Sequence, residues 1–228
     1  SKQDANFDPL FRLHIQGIYR ALNEPIPTYL NQALEIHEAR TNHRTTGFIH
    51  PEINGSGDEK GWEKAGRLEI GGARGTMHSS NPIQQLKYGI DQSNFYLRMD
   101  FKTGIKPQKD LPPQLNLLWF YPNRIMHNSS LPIADTPDIA PLNYLFHHHL
   151  QINFLTRSIK FQQAGEYSQW YTRETHAQAA LNNCLEIAVP WNDLQQPPES
   201  PIRLVLLLSD KGHFRNYLPE NGLIAIEQ

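Results

Sequence analysis

The stretch Asn94-Phe95-Tyr96-Leu97-Arg98-Met99-Asp100-Phe101 decides how this chain is read. Side chains two residues apart on an extended backbone share a face, so Phe95, Leu97 and Met99 point one way while Tyr96, Arg98 and Asp100 point the other. One face is apolar and belongs against a core; the opposite face carries hydrogen-bonding groups. Leu185, Ile187 and Val189 repeat the pattern. Working outward, strand-like runs separated by turn formers are expected at 67–71, 85–90, 114–121, 144–155, 158–163, 167–172, 176–181, 184–189, 202–209 and 214–218. With no helical pattern between them, about ten short strands predict a mainly β protein, an antiparallel β-sandwich.

Helical spacing is confined to the start. Leu10, Phe11, His14, Ile15, Ile18, Tyr19 and Leu22 recur at three- and four-residue intervals, Pro25 and Pro27 break the pattern, and a second helix is expected over 28–39. The expected organisation is a helical lead-in, residues 1–40, packed on a sandwich domain, residues 41–228. Within the sandwich, 42–61 and 123–141 are rich in Pro, Gly, Asn and Asp and read as long surface loops, where binding residues often sit.

Composition bounds the function. The 228 residues are 39% hydrophobic and include 4 Trp, 10 Phe and 9 Tyr, enough for a folded core. Twenty-one basic residues against 23 acidic ones give a net charge of −2, which points to neither nucleic acid nor an anionic membrane as a partner. The single cysteine, Cys184, excludes an internal disulfide and a Cys-rich zinc site. No apolar run approaches the roughly 20 residues that cross a bilayer. Residues 1–10 lack a secretory pattern, so a cytoplasmic location is expected.

Motifs for chemistry are weak. His147-His148-His149 contains metal-binding side chains, but in a strand only His147 and His149 share a face, and no spacing supplies further ligands. No structural metal is expected there; a loop calcium site stays open because such sites often lack a sequence signature. Glu59 with Glu63, or Asp135 with Asp138, could serve as an acid and base for glycosidic cleavage, or simply solvate the surface. Gly71-Gly72-Ala73-Arg74-Gly75 has no helix pattern after it and reads as a tight bend. The more coherent set pairs aromatic rings with hydrogen-bonding side chains, a combination suited to the apolar face and hydroxyls of a sugar. Trp62, Tyr88, Tyr96 and Trp170 are the candidate rings, with Glu63, His78, Asp91 and Arg98 as polar partners. Core packing is the competing role for each ring.

Several blocks carry a family resemblance: Gly61-Trp62-Glu63-Lys64-Ala65-Gly66, Gly71 through His78, Leu86-Lys87-Tyr88-Gly89-Ile90-Asp91 and Asn94 through Asp100. Together with the opening Phe7 to Leu22, they resemble the region downstream of the catalytic barrel in certain bacterial family 57 glycoside hydrolases. Leu185 through Leu194 is similar to a strand-then-turn signature of family 9 carbohydrate-binding modules and of DOMON domains. The resemblance implies a non-catalytic carbohydrate-binding or barrel-supporting module of an α-glucan-processing enzyme. Its partners would be an α-glucan or oligosaccharide and the catalytic barrel of the same polypeptide, with no catalytic residue in this chain and no cofactor. Haem, bound by some sandwich relatives, would need axial ligands, and Met77 and His78 are not placed for that role. A stand-alone hydrolase using a carboxylate pair and a purely structural or oligomerisation domain are the alternatives.

Overall fold

The computed structural model describes residues 7–27, 43–70, 82–122, 131–137, 142, 144–165, 169–195, 201–219 and 222–226. In chain order the elements are α1 (Phe7–Ala21), β1 (Gly66–Glu69), β2 (Ile83–Ile90), β3 (Asn94–Phe101), α2 (Pro107–Asp110), β4 (Gln114–Phe120), β5 (His148–Asn153) and β6 (Ser158–Ala164). Then follow β7 (Trp170–Arg173), β8 (Gln178–Leu181), β9 (Cys184–Pro190), α3 (Trp191–Leu194), β10 (Ile202–Asp210), β11 (His213–Leu218) and β12 (Ile224–Ile226). The expected second helix and the bend at 71–75 lie outside the described residues. Ile18 in α1 and Leu22 just after it, both expected to face a packing partner, are exposed.

The strands form two sheets paired antiparallel throughout. One has the order β1-β2-β3-β9-β8; the other runs β11-β10-β4-β5-β6-β7, with β12 also paired to β10. The expected sandwich is what the chain forms. Its main core lies between the sheets, where Phe95, Leu97 and Met99 of β3 share one cluster with Leu117 and Trp119 of β4 and Leu204 and Leu206 of β10. Phe95 meets Trp119 edge to face at 6.1 Å.

Both outer faces are covered as well. Residues 43–65, which take in most of the 42–61 stretch read from sequence as a surface loop, lie across the five-stranded sheet, where Ile49, Trp62 and Ala65 pack on Tyr96 and Ala188. A Cβ on Gly89 would stand 2.6 Å from Ile49 Cδ1, so the glycine gives this cover its seat. On the seven-stranded sheet, Ile133, Leu142 and Phe146 pack on Leu118, Phe120, Val205 and Leu207. Burial on two sides explains why β4 and β10 read as nearly continuous apolar runs.

Candidate functional site

The residues expected to bind sugar separate into three environments. Trp62 is 1% exposed and meets Tyr96 edge to face at 6.4 Å, so its ring belongs to the loop's own core. Tyr88 is in the inter-sheet core, and Tyr96 is buried under the loop. The expectation that these three rings stack on a ligand from the surface is corrected: Tyr88 faces the opposing sheet, and the cover formed by 43–65 takes Trp62 into its own packing and hides the face that strand alternation leaves open at Tyr96. Glu63 is exposed, Trp170 half-buried, and His78 outside the described residues.

Asp91 and Arg98 are buried organisers of backbone. Asp91 Oδ1 accepts the N–H groups of Ser93 and Asn94, each at 2.7 Å, closing the β2–β3 turn. Its Oδ2 accepts the Tyr96 hydroxyl at 2.8 Å. Desolvation, together with this bond to the carboxylate, pushes the Tyr96 hydroxyl up to about 12. The Arg98 guanidinium donates from Nε to Asp100 Oδ1 at 2.6 Å, from Nη1 to the Asp58 carbonyl at 2.6 Å and from Nη2 to the Gly57 carbonyl at 2.8 Å. Desolvation works against its charge, but the Asp100 hydrogen bond and charge outweigh this and raise its pKa.

The rest of that face completes a latch for the loop. Glu186 Oε2 accepts the N–H groups of Gly55 at 2.8 Å and Asn54 at 3.1 Å, and Lys87 donates to Glu59. Burial opposes ionisation of Glu59, yet the Lys87 hydrogen bond and the charges of Lys87, Arg98 and Arg67 hold its carboxyl below the ordinary value. Beneath them, desolvation and the Glu186 charge push the Cys184 thiol up to about 12, which makes it a poor nucleophile. The chemistry of this cluster is tethering: its charges are spent on one another and on loop backbone. Of the other acidic pair, Asp135 bonds His213 at 2.6 Å, and Asp138 lies outside the described residues.

The three histidines divide as strand alternation requires. His148 turns inward and stacks on Phe161 at 5.3 Å, while His149 turns outward beneath the second cover. His147 Nδ1 accepts the Tyr121 N–H at 3.1 Å. His149 Nε2 lies 2.9 Å from Asn116 Oδ1, and Nδ1 lies 3.0 Å from the Gln162 side-chain amide. Asn116 donates its own amide to the Leu207 carbonyl and Ser209 hydroxyl, which fixes its oxygen toward His149. His149 therefore donates from Nε2, and its neutral Nδ1 is an acceptor, which requires the Gln162 amide to present its NH2 group to the ring. Burial is the main cause that lowers His149 to about 4, with a smaller contribution from the Lys160 charge. Among the described residues no cluster of three or more His, Cys, Asp or Glu side chains could hold a metal.

An accessible ring occurs at the edge of the seven-stranded sheet. Tyr171 on β7 pairs with Gln163, which pairs with His148, so it lies on the core-side face, yet it is 45% exposed. The ring rests over Gly165, where a Cβ would stand 1.9 Å from Tyr171 Cε2. Arg173, on the same face, donates from Nε to Gln163 Oε1 at 3.1 Å, and Gln163 Nε2 donates to Gln195 Oε1 at 3.0 Å. Gln195 reaches the edge from a left-handed position, φ 51°, at the end of α3. A flat ring beside a guanidinium and two amides forms a shelf suited to a sugar's apolar face and hydroxyls. The sequence pointed to Trp170 here; the neighbouring residue bears the exposed ring, because Trp170 turns to the covered outer face and meets His149 edge to face at 6.0 Å.

No family model matches the chain, and no curated protein matches it. Among solved structures, it is similar to a family 9 carbohydrate-binding module from Caldicellulosiruptor kristjanssonii in complex with cellotriose. The identity is 13%, the match covers 78% of this chain and 80% of that one, and the TM-score is 0.37. No residue role is carried across a likeness this slight, and none of the comparisons supports a family 57 setting.

Proposed function

We propose that this chain is a non-catalytic carbohydrate-binding module that takes an oligosaccharide on the Tyr171 shelf. The observation that carries the reading is the half-exposed Tyr171 ring over Gly165, on one strand face with the hydrogen-bonded Arg173 and Gln163. Tyr171 stacks on the C–H face of a pyranose; Arg173, Gln163 and Gln195 bond its hydroxyls. An α-glucan is the proposed ligand class and a glycoside hydrolase barrel the proposed neighbour, both resting on the resemblance in the sequence. One ring contributes about 1 kcal/mol beyond its buried area, so an affinity near the millimolar range is expected.

Affinity electrophoresis through soluble starch tests this. Tyr171→Ala and Arg173→Ala should each lose most of the retardation while keeping the wild-type melting temperature to within a few degrees. Unretarded migration of the wild type, or variants retarded as strongly as the wild type, overturns the reading.

A further inference from the structure

The opposite end of β6 from the shelf carries a second concavity. A cleft of about 250 Å³ opens between the sheets, floored by Ile152, Phe154, Leu181 and Leu185, with Arg157 on its wall. It shares Gln108, Leu181 and Asn182 with a broader groove of about 500 Å³ that follows the chain from β3 into α2 and is lined by Lys102 and Lys106. The two form one continuous trough.

Its charge is one-sided. Three cationic side chains line the trough, and no described carboxylate does, in a chain whose net charge is −2. Among the described residues Lys102, Lys106 and Arg157 have no ion-pair partner. Asp110, the acid of α2, is turned to the Lys106 backbone N–H at 2.7 Å. The amides are partly committed: Asn182 Nδ2 donates to the Asn54 carbonyl at 2.6 Å, and Asn183 Nδ2 to that of Ser56 at 2.9 Å. Both side-chain oxygens stay available as acceptors for hydroxyl groups. Arg157 sits in the β5–β6 turn with φ 55°, and Asn153 Oδ1 secures that turn by accepting the Leu155 and Thr156 N–H groups, each at 3.0 Å. The guanidinium thus projects from a fixed turn, a favourable base for recognising a planar or trigonal anion.

We infer that this trough is a second binding site, selective for an acidic saccharide. The pyranose C–H face rests on the apolar floor, and its phosphate or carboxylate meets Arg157 with Lys102 and Lys106. The apolar floor distinguishes the ligand from a simple anion, and the three uncompensated cations distinguish it from a neutral sugar. This site is independent of the Tyr171 shelf, and either can fail without the other.

Amide-detected NMR titration of the whole chain tests the inference, with glucose 6-phosphate, glucuronate, glucose and inorganic phosphate as separate probes. Glucose 6-phosphate should shift the amides of Leu181, Asn182 and Lys102, and glucuronate should do so if a carboxylate suffices. Neutral glucose should leave these amides unmoved, and inorganic phosphate should bind at least about tenfold more weakly than the sugar phosphate. Arg157→Asn, a residue that accepts the left-handed conformation, and the exposed double change Lys102→Gln with Lys106→Gln should each weaken binding about tenfold or more. Binding should also fall between about 50 and 500 mM salt. Shifts absent with both acidic sugars, equal with glucose, equal with phosphate alone, or unchanged in the variants would each overturn the assignment. Tyr171→Ala should bind glucose 6-phosphate at this end like the wild type, which separates this test from that of the shelf.

Discussion

Replacing His149 by Gln should change the shape of the protein's stability curve against pH. In the folded chain His149 is buried and neutral, with its pKa lowered from 6.5 to about 4. Between those values the unfolded chain holds a proton that the folded chain does not, so stability falls as pH falls through this window. At 1.36 kcal/mol per pH unit, the full loss by pH 4 is about 3 kcal/mol. At pH 7 the variant gives up the ring's packing and one of two buried hydrogen bonds, a cost of about 1–3 kcal/mol. The two effects oppose each other: less stable at pH 7, His149→Gln should equal or exceed the wild type by pH 4. Urea denaturation of both proteins at intervals from pH 7 to 4 gives the difference directly, and titrating carboxylates common to both cancel in it. Nitrogen-15 spectra should show a neutral imidazole protonated on Nε2 down to about pH 5. Parallel stability curves, or a ring that takes its proton near 6.5, would refute the buried neutral donor–acceptor reading.

Three further outcomes follow from the packing. Trp62→Ala should cost about 3–5 kcal/mol, lowering the melting temperature by about 2–4 °C for each kcal/mol, because the ring is a core residue of the loop cover. Arg98→Met should cost about 3–5 kcal/mol by leaving Asp100 Oδ1 and the carbonyls of Gly57 and Asp58 without their donor, and hydrogen exchange should speed up at Asn54–Glu59 before the strands. Gly165→Ala should push the Tyr171 ring aside at a stability cost within about 1 kcal/mol, since the ring is exposed and free to swing, while starch retardation falls as it does for Tyr171→Ala.

The sandwich was legible because its inward faces obey a period of two. Phe95, Leu97 and Met99 on β3, and Leu185, Ile187 and Val189 on β9, align in register across the ladder and enter one core. The outward faces were legible only as far as direction. Alternation correctly set Tyr96 and Arg98 together, but it says nothing about what lies above them, and here 43–65 folds down and turns a presumed ligand face into an interior. That outcome depends on contacts such as Asn54 and Gly55 with Glu186, more than 130 residues apart in sequence, for which no local pattern exists. The same limit produced the shift from Trp170 to Tyr171: one residue along a strand changes the face, and which face is free depends on packing that no local pattern records.

The buried charges sharpen this point. Lys87, Arg98 and Glu186 on three adjacent strands are each nearly inaccessible, an arrangement costly for any face that could be apolar instead. On a sheet covered by another sheet, their place would be taken by side chains like Leu97. On a sheet covered by an irregular loop they have work to do, because the loop's N–H and carbonyl groups have no ladder of their own. Arg98 supplies donors to two loop carbonyls, and Glu186 supplies an acceptor to two loop N–H groups. A charge on the outward face of a strand is therefore ambiguous in sequence: it marks either a surface open to a ligand or a lining for irregular backbone. The distinction here is visible in the partners. The latch residues spend their charge on backbone and on each other, whereas Lys102, Lys106 and Arg157 spend theirs on no group among the described residues, and it is the uncommitted set that points outward to a ligand.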